Sequence, residues 1–224
     1  MFTELRNEER TPKFVVFDTE TTGLFLFRDK ETGQPVPADD PRQPRMASFA
    51  AIICDEGGDE ISSVKFFVQP DGWSIDGTKA SEINGLTESY LAENGVPVSE
   101  ILDMRDEWIK ADLIVTAFNA QFDCKMMRAE LRRAGREDHF EATRNICLMR
   151  ALSPYGKEGL CISRGYVKLS EACEFFSITN ENAHDAMSDT VASAHILKRL
   201  IADNRLPEAK VHYAAGSKKE KTNA

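Results

Sequence analysis

Asp18 and Glu20 stand two residues apart in Phe14-Val-Val-Phe-Asp18-Thr-Glu20-Thr-Thr-Gly-Leu24, directly after an apolar run. Side chains alternate between the faces of a strand, so residues i and i+2 point the same way. Two carboxylates held that close repel and raise one another's pKa. A cation between them keeps both ionised, and all-oxygen ligands suit a hard ion such as Mg²⁺ or Mn²⁺. The plain alternative is a strand that ends in solvated acids. Whether more acids converge on the same spot decides between the two.

Two further acids qualify. Asp123 closes Asn119-Ala-Gln-Phe-Asp123, just after the apolar stretch 113–118 and at the start of a helical pattern. The partial positive charge of a helix N-terminus favours an acid there, so a simple capping role is the competing reading. Asp189 lies one turn inside the last helix, in Ala183-His184-Asp-Ala-Met-Ser-Asp189. Val191, Ala194 and Leu197 give that helix an inward face, and a buried acid needs a partner: a metal, an arginine or a cap. His184 sits in the loop before the helix. Alone it would be an ordinary surface or core histidine.

The elements that must position these groups follow from pattern. Strands are expected at 13–18, 46–53, 60–68, 113–118 and 145–149, the second and third forming an antiparallel hairpin across Glu56-Gly-Gly-Asp59. Short helices are expected at 80–84 and after Thr87. A stronger one starts at Ser99 with Val98 as its hydrophobic staple. Others run from Asp123 to Ala134, from Leu169 to Phe176 and from Ala186 to Asp203. Between Phe25 and Pro44 four prolines and no sustained period indicate a long loop, with a small hairpin turn at Thr32-Gly33. Early strands followed by alternating helix and strand give an α/β fold with a mixed central sheet, an antiparallel hairpin plus parallel strands, flanked by helices. In such a sheet ligands bind beyond the carboxyl ends of the parallel strands, where Asp18, Glu20 and Asp123 all fall.

The 224 residues fit one domain at 13–203, with a lead-in at 1–12 and a flexible tail at 204–224. No apolar run nears the ~20 residues that span a bilayer, and the polar first ten residues lack a signal core. A cytoplasmic protein with no membrane partner is expected. Five cysteines with wide spacing and no Cys-x-x-Cys form neither a disulfide framework nor a zinc site. Net charge is −9, against simple electrostatic binding of nucleic acid. Divalent ions held by an acidic site would reverse that locally. Lys125, Arg128, Arg132, Arg133 and Arg136 are read as an exposed helix face, and Lys218-Lys-Glu-Lys221 as a solvated end.

Taken jointly, Phe17-Asp18-Thr-Glu20-Thr-Thr-Gly-Leu24, Asn119-Ala-Gln-Phe-Asp123 and His184-x-Ala-x-x-Asp189 resemble the DEDDh, DnaQ-like 3′→5′ exonucleases, over roughly residues 13–203. Ile83-Asn-Gly-Leu-Thr87 and Leu169-Ser-Glu-Ala-Cys173 resemble further segments of that family. The resemblance implies a ribonuclease H-like fold and two Mg²⁺ or Mn²⁺ ions held about 4 Å apart by Asp18, Glu20, Asp123 and Asp189. It implies His184 as the general base, on a mobile loop, and release of nucleoside 5′-monophosphates from the 3′ end of a single strand. Thr21, Thr22, Gly23 and Leu24 would contact the terminal nucleotide, with Asn84, Leu86 and Phe122 as its wall. DNA is the expected substrate, in proofreading or DNA processing, with a DNA polymerase or replication protein as candidate partner. An RNA-processing exonuclease is the alternative within the same chemistry, and a non-catalytic nucleic-acid-binding module the alternative outside it. Three positions depart from the family: Phe118 and Asn84 replace histidines common in relatives, and Ser48 replaces a glutamate. No clamp-binding segment and no second domain after residue 203 are found, which weakens the idea of a dedicated polymerase subunit.

Overall fold

A computed structural model of the chain describes residues 10–139, 143–162 and 165–211. Its strands are β1 (Phe14–Thr21), β2 (Met46–Cys54), β3 (Glu60–Phe67), β4 (Ile114–Ala117), β5 (Arg144–Cys147) and β6 (Lys210–Val211). They form one mixed sheet in the order β3-β2-β1-β4-β5-β6. β1 pairs antiparallel with β2 and parallel with β4. β2 and β3 make the expected antiparallel hairpin, β4 and β5 run parallel, and β6 closes the edge antiparallel to β5. The helices are α1 (Lys79–Asn84), α2 (Glu88–Asn94), α3 (Val98–Lys110), α4 (Ala120–Arg133), α5 (Leu148–Ala151), α6 (Leu169–Phe176) and α7 (Ala186–Ala202), with a 3₁₀ segment at Ser153–Glu158.

β1 is apolar on both sides because helices cover both faces of the sheet. Val15 and Phe17 pack with Phe49, Trp108 and Met127 under α3 and α4. Trp108 stacks on Phe49 at 5.8 Å between ring centroids. Phe14 and Val16 pack with Ile52, Ile114, Ile196 and Leu200 under α7. The same alternation carries on past the apolar run. Asp18 and Glu20 share the α7 face with Phe14 and Val16, while Thr19 shares the α4 face with Phe17.

Local chemistry sets the element ends. Thr78 and Thr87 cap α1 and α2, accepting hydrogen bonds from Ser81 N and Tyr90 N. Asp185 caps α7 by accepting one from Ser188 N. The turn between β2 and β3 passes under α7, and Gly58 takes a left-handed conformation there with φ 81°. A Cβ at that position would lie 3.0 Å from Lys198 Cα, so glycine is what the turn and the close approach permit. Several boundaries differ from expectation: β1 runs on to Thr21, α4 starts earlier at Ala120, and α5 and β6 are additional, β6 falling within the expected flexible tail. α3 begins at Val98, after Pro97 and without a side-chain cap, so Val98 is its first residue rather than a staple ahead of it. The fifth strand stops at Cys147, where Met149 N turns to the Phe118 carbonyl at 2.9 Å and α5 begins.

The segment 25–44 is an ordered excursion. Arg28 bridges Pro35, Asp29 N donates to Gln34 O at 2.8 Å, and Gly33 supplies φ 66° at the turn. Gln43, 3% exposed, holds it shut from inside. Its Oε1 accepts from Leu26 N at 2.8 Å, and its Nε2 donates to Leu26 O at 2.8 Å and Pro37 O at 2.9 Å. Beyond α7, Leu206 and Ala209 pack against the core before β6. Residues 1–9 of the lead-in and 212–224 of the tail, with its lysines, lie outside the described residues. Among the described residues, no helix is long and apolar enough to cross a membrane.

Candidate active site

β1 has an antiparallel neighbour on one side and a parallel one on the other, so its carboxyl end opens a crevice where the sheet changes direction. Three elements deliver acids to it. β1 supplies Asp18 and Glu20, the first turn of α7 supplies Asp189, and the first turn of α4 supplies Asp123 from the opposite face. One ligand atom each from Glu20, His184 and Asp189 lie within 4.8 Å of one another. Asp18 and Asp123 join the cluster electrostatically.

The carboxylates perturb each other strongly. Burial, then the charges of Asp123, Glu20 and Asp189, lift Asp18 well above the usual carboxylate range. Burial and Asp189 push Glu20 up to about 8, against a hydrogen bond from Asn84 that favours the charged form. Burial pushes Asp123 up to about 7, opposed by Thr19, whose hydroxyl and N–H donate to Asp123 Oδ1 at 2.8 and 3.2 Å. Asp189 is raised by burial although Asn180 Nδ2 donates to it at 2.6 Å and His184 N at 3.3 Å. Four desolvated acids cannot all ionise together in a bare cleft. Divalent cations with oxygen ligands are the group that lets them, so the residues present fit such ions.

His184 is exposed at the cleft mouth in a left-handed backbone conformation, φ 69°. Such a residue carries strain on the order of 1 kcal/mol, offset here by its N–H bond to Asp189. The next residue, Asp185, is ion-paired with Lys65 of β3. Lys65 stands across from Ala50, which stands across from Asp18, so all three share the α7 face. The pair ties the histidine loop to the sheet and, with Ser188 N and Met187 N, keeps Asp185 charged despite its burial.

The pocket residues expected from the sequence fall around this cluster. Thr21 is buried and its hydroxyl donates to Gly23 O at 2.7 Å. Thr22 is tied to Arg45 by two bonds of 2.9 Å. A Cβ at Gly23 would meet nothing within 4 Å, so the fold itself leaves open space there. Leu24 is 83% exposed. Asn84 bonds both Glu20 and the Thr21 carbonyl, the latter at 3.5 Å. Phe122 meets Phe25 edge-on at 5.5 Å. Leu86 is only 8% exposed, packed in a small apolar cluster with Ile75 and Leu91. Of the departing positions, Ser48 stands opposite Glu20 in register and donates to Phe66 O at 3.2 Å, and Phe118 is core.

Sequence reasoning missed Thr19, Asn180, and the Lys65–Asp185 pair. Asp185 carried a signal, an N-cap acid ahead of a helix. Thr19 was readable only as a residue of the other face. Asn180 and Lys65 offered no local sign. The arginines of the basic cluster are paired: Arg128 and Arg132 with Asp138, Arg133 with Glu130, and Arg136, just beyond α4, with Asp103 of α3, whereas Lys125 lies over the rings of Phe25 and Phe27. None of the five cysteines is in a disulfide, and four are buried.

Comparison with known proteins agrees with this geometry. A family model described as an exonuclease, RNase_T, matches residues 15–197. The PolC-type DNA polymerase III of Bacillus subtilis is 29% identical over 201 residues, and that of Clostridium perfringens 28% over 187. These alignments cover 88% and 83% of this chain but only 12% and 11% of the polymerases, so the chain spans about an eighth of the relatives' length. Among solved structures, E. coli exonuclease I in complex with a dT13 oligonucleotide matches 84% of this chain and 40% of its own at a TM-score of 0.66 and 22% identity. The nuclease domain of 3′hExo, a DEDDh family member bound to rAMP, matches 91% and 98% at 0.64 and 13%. At those identities the two structures bear on the fold, which is ribonuclease H-like. With its family model running from β1 into α7 and including every acid of the cleft, the chain belongs to the RNase_T exonuclease family, the DnaQ-like, DEDDh group its motifs resemble.

Proposed function

We propose that the chain is a 3′→5′ exonuclease that removes nucleoside 5′-monophosphates from single-stranded DNA ends using two divalent cations, Mg²⁺ or Mn²⁺. The observation that carries this is the convergence of Asp18, Glu20, Asp123 and Asp189 in one desolvated cleft, with His184 within 4.8 Å of two of them by ligand atoms. The four carboxylates would hold the ions. Bound there, the ions would activate the attacking water and stabilise the leaving 3′-oxygen.

This chain's own residues set the rest. Thr19 fixes the free rotation of Asp123, and Asn84 and Asn180 do the same for Glu20 and Asp189, so the cage is preorganised. His184 is placed to take the water's proton from the open side of the cleft, a role suited to an imidazole near neutral pH. The Lys65–Asp185 pair anchors the residue next to it to the sheet, so the swing of the His184 loop over bound substrate pivots at Asp185. The space beside Gly23 receives the terminal nucleotide, with the exposed Leu24 against its base. DNA is favoured over RNA because the relatives are DNA polymerases by name. The same relationship supports a place beside a polymerase or replication protein, in proofreading or DNA processing.

Matched single-stranded DNA and RNA, labelled at the 5′ or the 3′ end, are digested with Mg²⁺, Mn²⁺ or chelator. The 5′-labelled DNA should give a descending ladder and the 3′-labelled DNA an immediate mononucleotide, with no product in chelator. Asp18→Ala and Asp189→Ala should abolish release while the fold persists. Full activity in either variant or in chelator refutes the mechanism. Digestion of RNA alone moves the substrate to RNA.

A further inference from the structure

The two most exposed large apolar side chains among the described residues are Leu24, at 83%, and Phe27, at 73%. Both lie within four residues of the Thr-Thr-Gly turn, and Phe27 shares with Phe25 the ammonium of Lys125, two residues beyond Asp123 on α4. Phe27 is not on a loose loop. Its carbonyl accepts from Val36 N at 3.2 Å, Val36 is buried, and Gln43 closes the excursion from inside. Phe25 anchors the base of the excursion, 6% exposed and edge-on to Phe122 of α4. Lys125, one turn along α4 from Phe122, extends its ammonium over both rings, 4.2 Å from the centroid of Phe25 and 4.6 Å from that of Phe27. Lys125 thus covers one face of Phe27 and leaves the ring largely open to solvent.

An exposed aromatic alone needs no explanation; what sets Phe27 apart is that its backbone is held in place and that Lys125 lies over its ring and that of Phe25. We propose that Phe27, backed by Lys125, is a stacking platform for a base of the single-stranded substrate upstream of the terminal nucleotide. The assignment rests on the exonuclease reading above. Three features commit it to a nucleic-acid strand. Aromatic faces take any base, because every base has a π-face. Lys125 adds positive charge beside the ring, where a sugar–phosphate backbone must pass, and cation–π contact holds it there. Its arginine neighbours on α4 are neutralised by Asp138 and Glu130, whereas Lys125 forms no ion pair among the described residues. The distance also fits. The backbone from Leu24 to Phe27 spans at most about 11 Å, and a stacked strand advances about 3.4 Å per nucleotide. The platform therefore serves the second to the fourth nucleotide from the end, about one to three steps upstream of the terminal one.

The test is steady-state hydrolysis of 5′-labelled single strands by the full chain and by Phe27→Ala and Phe27→Trp, on strands of increasing length and on strands with one abasic residue at the second, third or fourth position. Phe27→Ala should raise KM about 5- to 100-fold on strands long enough to reach the platform, with the loss in KM rather than kcat. Phe27→Trp should restore it. The penalty of Phe27→Ala should vanish on one of the abasic strands, which a merely structural role would not produce. Equal losses on every strand, including a dinucleotide, or a loss in kcat alone, overturn the platform. If the wild-type chain digests no strand, the functional reading fails separately. Fluorescence anisotropy of the same strands with Ca²⁺ then judges the platform: Phe27→Ala must weaken the base-bearing strand and spare one abasic strand, and equal binding overturns it.

Discussion

Replacing Glu20 by Gln should stabilise the metal-free protein at pH 8 while destroying its activity. Glu20 is pushed from an ordinary value of 4.5 up to about 8 by burial and by Asp189. Its folded pKa is raised, so the folded state binds the proton more tightly than the unfolded chain. Below about pH 4.5 both states are protonated and the group is neutral to stability. As pH climbs toward 8 the unfolded chain releases a proton that the fold retains, and stability falls. At about 1.4 kcal/mol per pKa unit the full shift corresponds to roughly 4–5 kcal/mol. Water at the open cleft and relaxation of the coupled acids reduce the expected gain to about 1–3 kcal/mol. Gln keeps an oxygen for the Asn84 donor and never ionises. Thermal unfolding in chelator should show Glu20→Gln melting about 2–12 °C above wild type at pH 8, using 2–4 °C per kcal/mol for a chain of this size, and converging with it near pH 4.5. Adding Mn²⁺ should raise the wild-type melting temperature more than the variant's. A variant that melts at or below wild type at pH 8 in chelator would refute the picture of four mutually destabilising carboxylates.

His184→Ala should lower the rate of nucleotide release by about 10²–10⁴ with Mn²⁺ affinity by calorimetry kept within a few fold; loss of metal binding instead would make His184 a ligand. Thr19→Val removes the hydroxyl donor to Asp123 while preserving shape, and should cost about 1–3 kcal/mol in urea unfolding, with reduced kcat as Asp123 loses its fixed rotamer. A stability change confined to a few tenths of a kcal/mol would mean that the backbone N–H alone holds Asp123.

The acids and their approach to one cleft were legible in the chain itself. Alternation places Asp18 and Glu20 on one face of β1, and helical periodicity sets Asp189 one turn inside α7, because those facts depend only on local geometry. The hairpin, the parallel strands and the main helices followed for the same reason; ends such as Val98 and Cys147 differed where tertiary contacts decide termination, and the short α5, the 3₁₀ segment and β6 carried too little local pattern to be read.

Which groups hold the acids in place was decided by contacts between residues far apart in sequence. Thr19 meets Asp123 because α4 lies on the face opposite α7, Lys65 meets Asp185 because β3 is third in the sheet, and Asn180 reaches Asp189 through an irregular loop. The excursion at 25–44 is the sharpest case. Its prolines announce a loop, but only the folded chain shows Gln43 closing it and Lys125 lying over the exposed ring of Phe27. A sequence carries the period of its own elements; the partners across elements exist only once burial has chosen their packing.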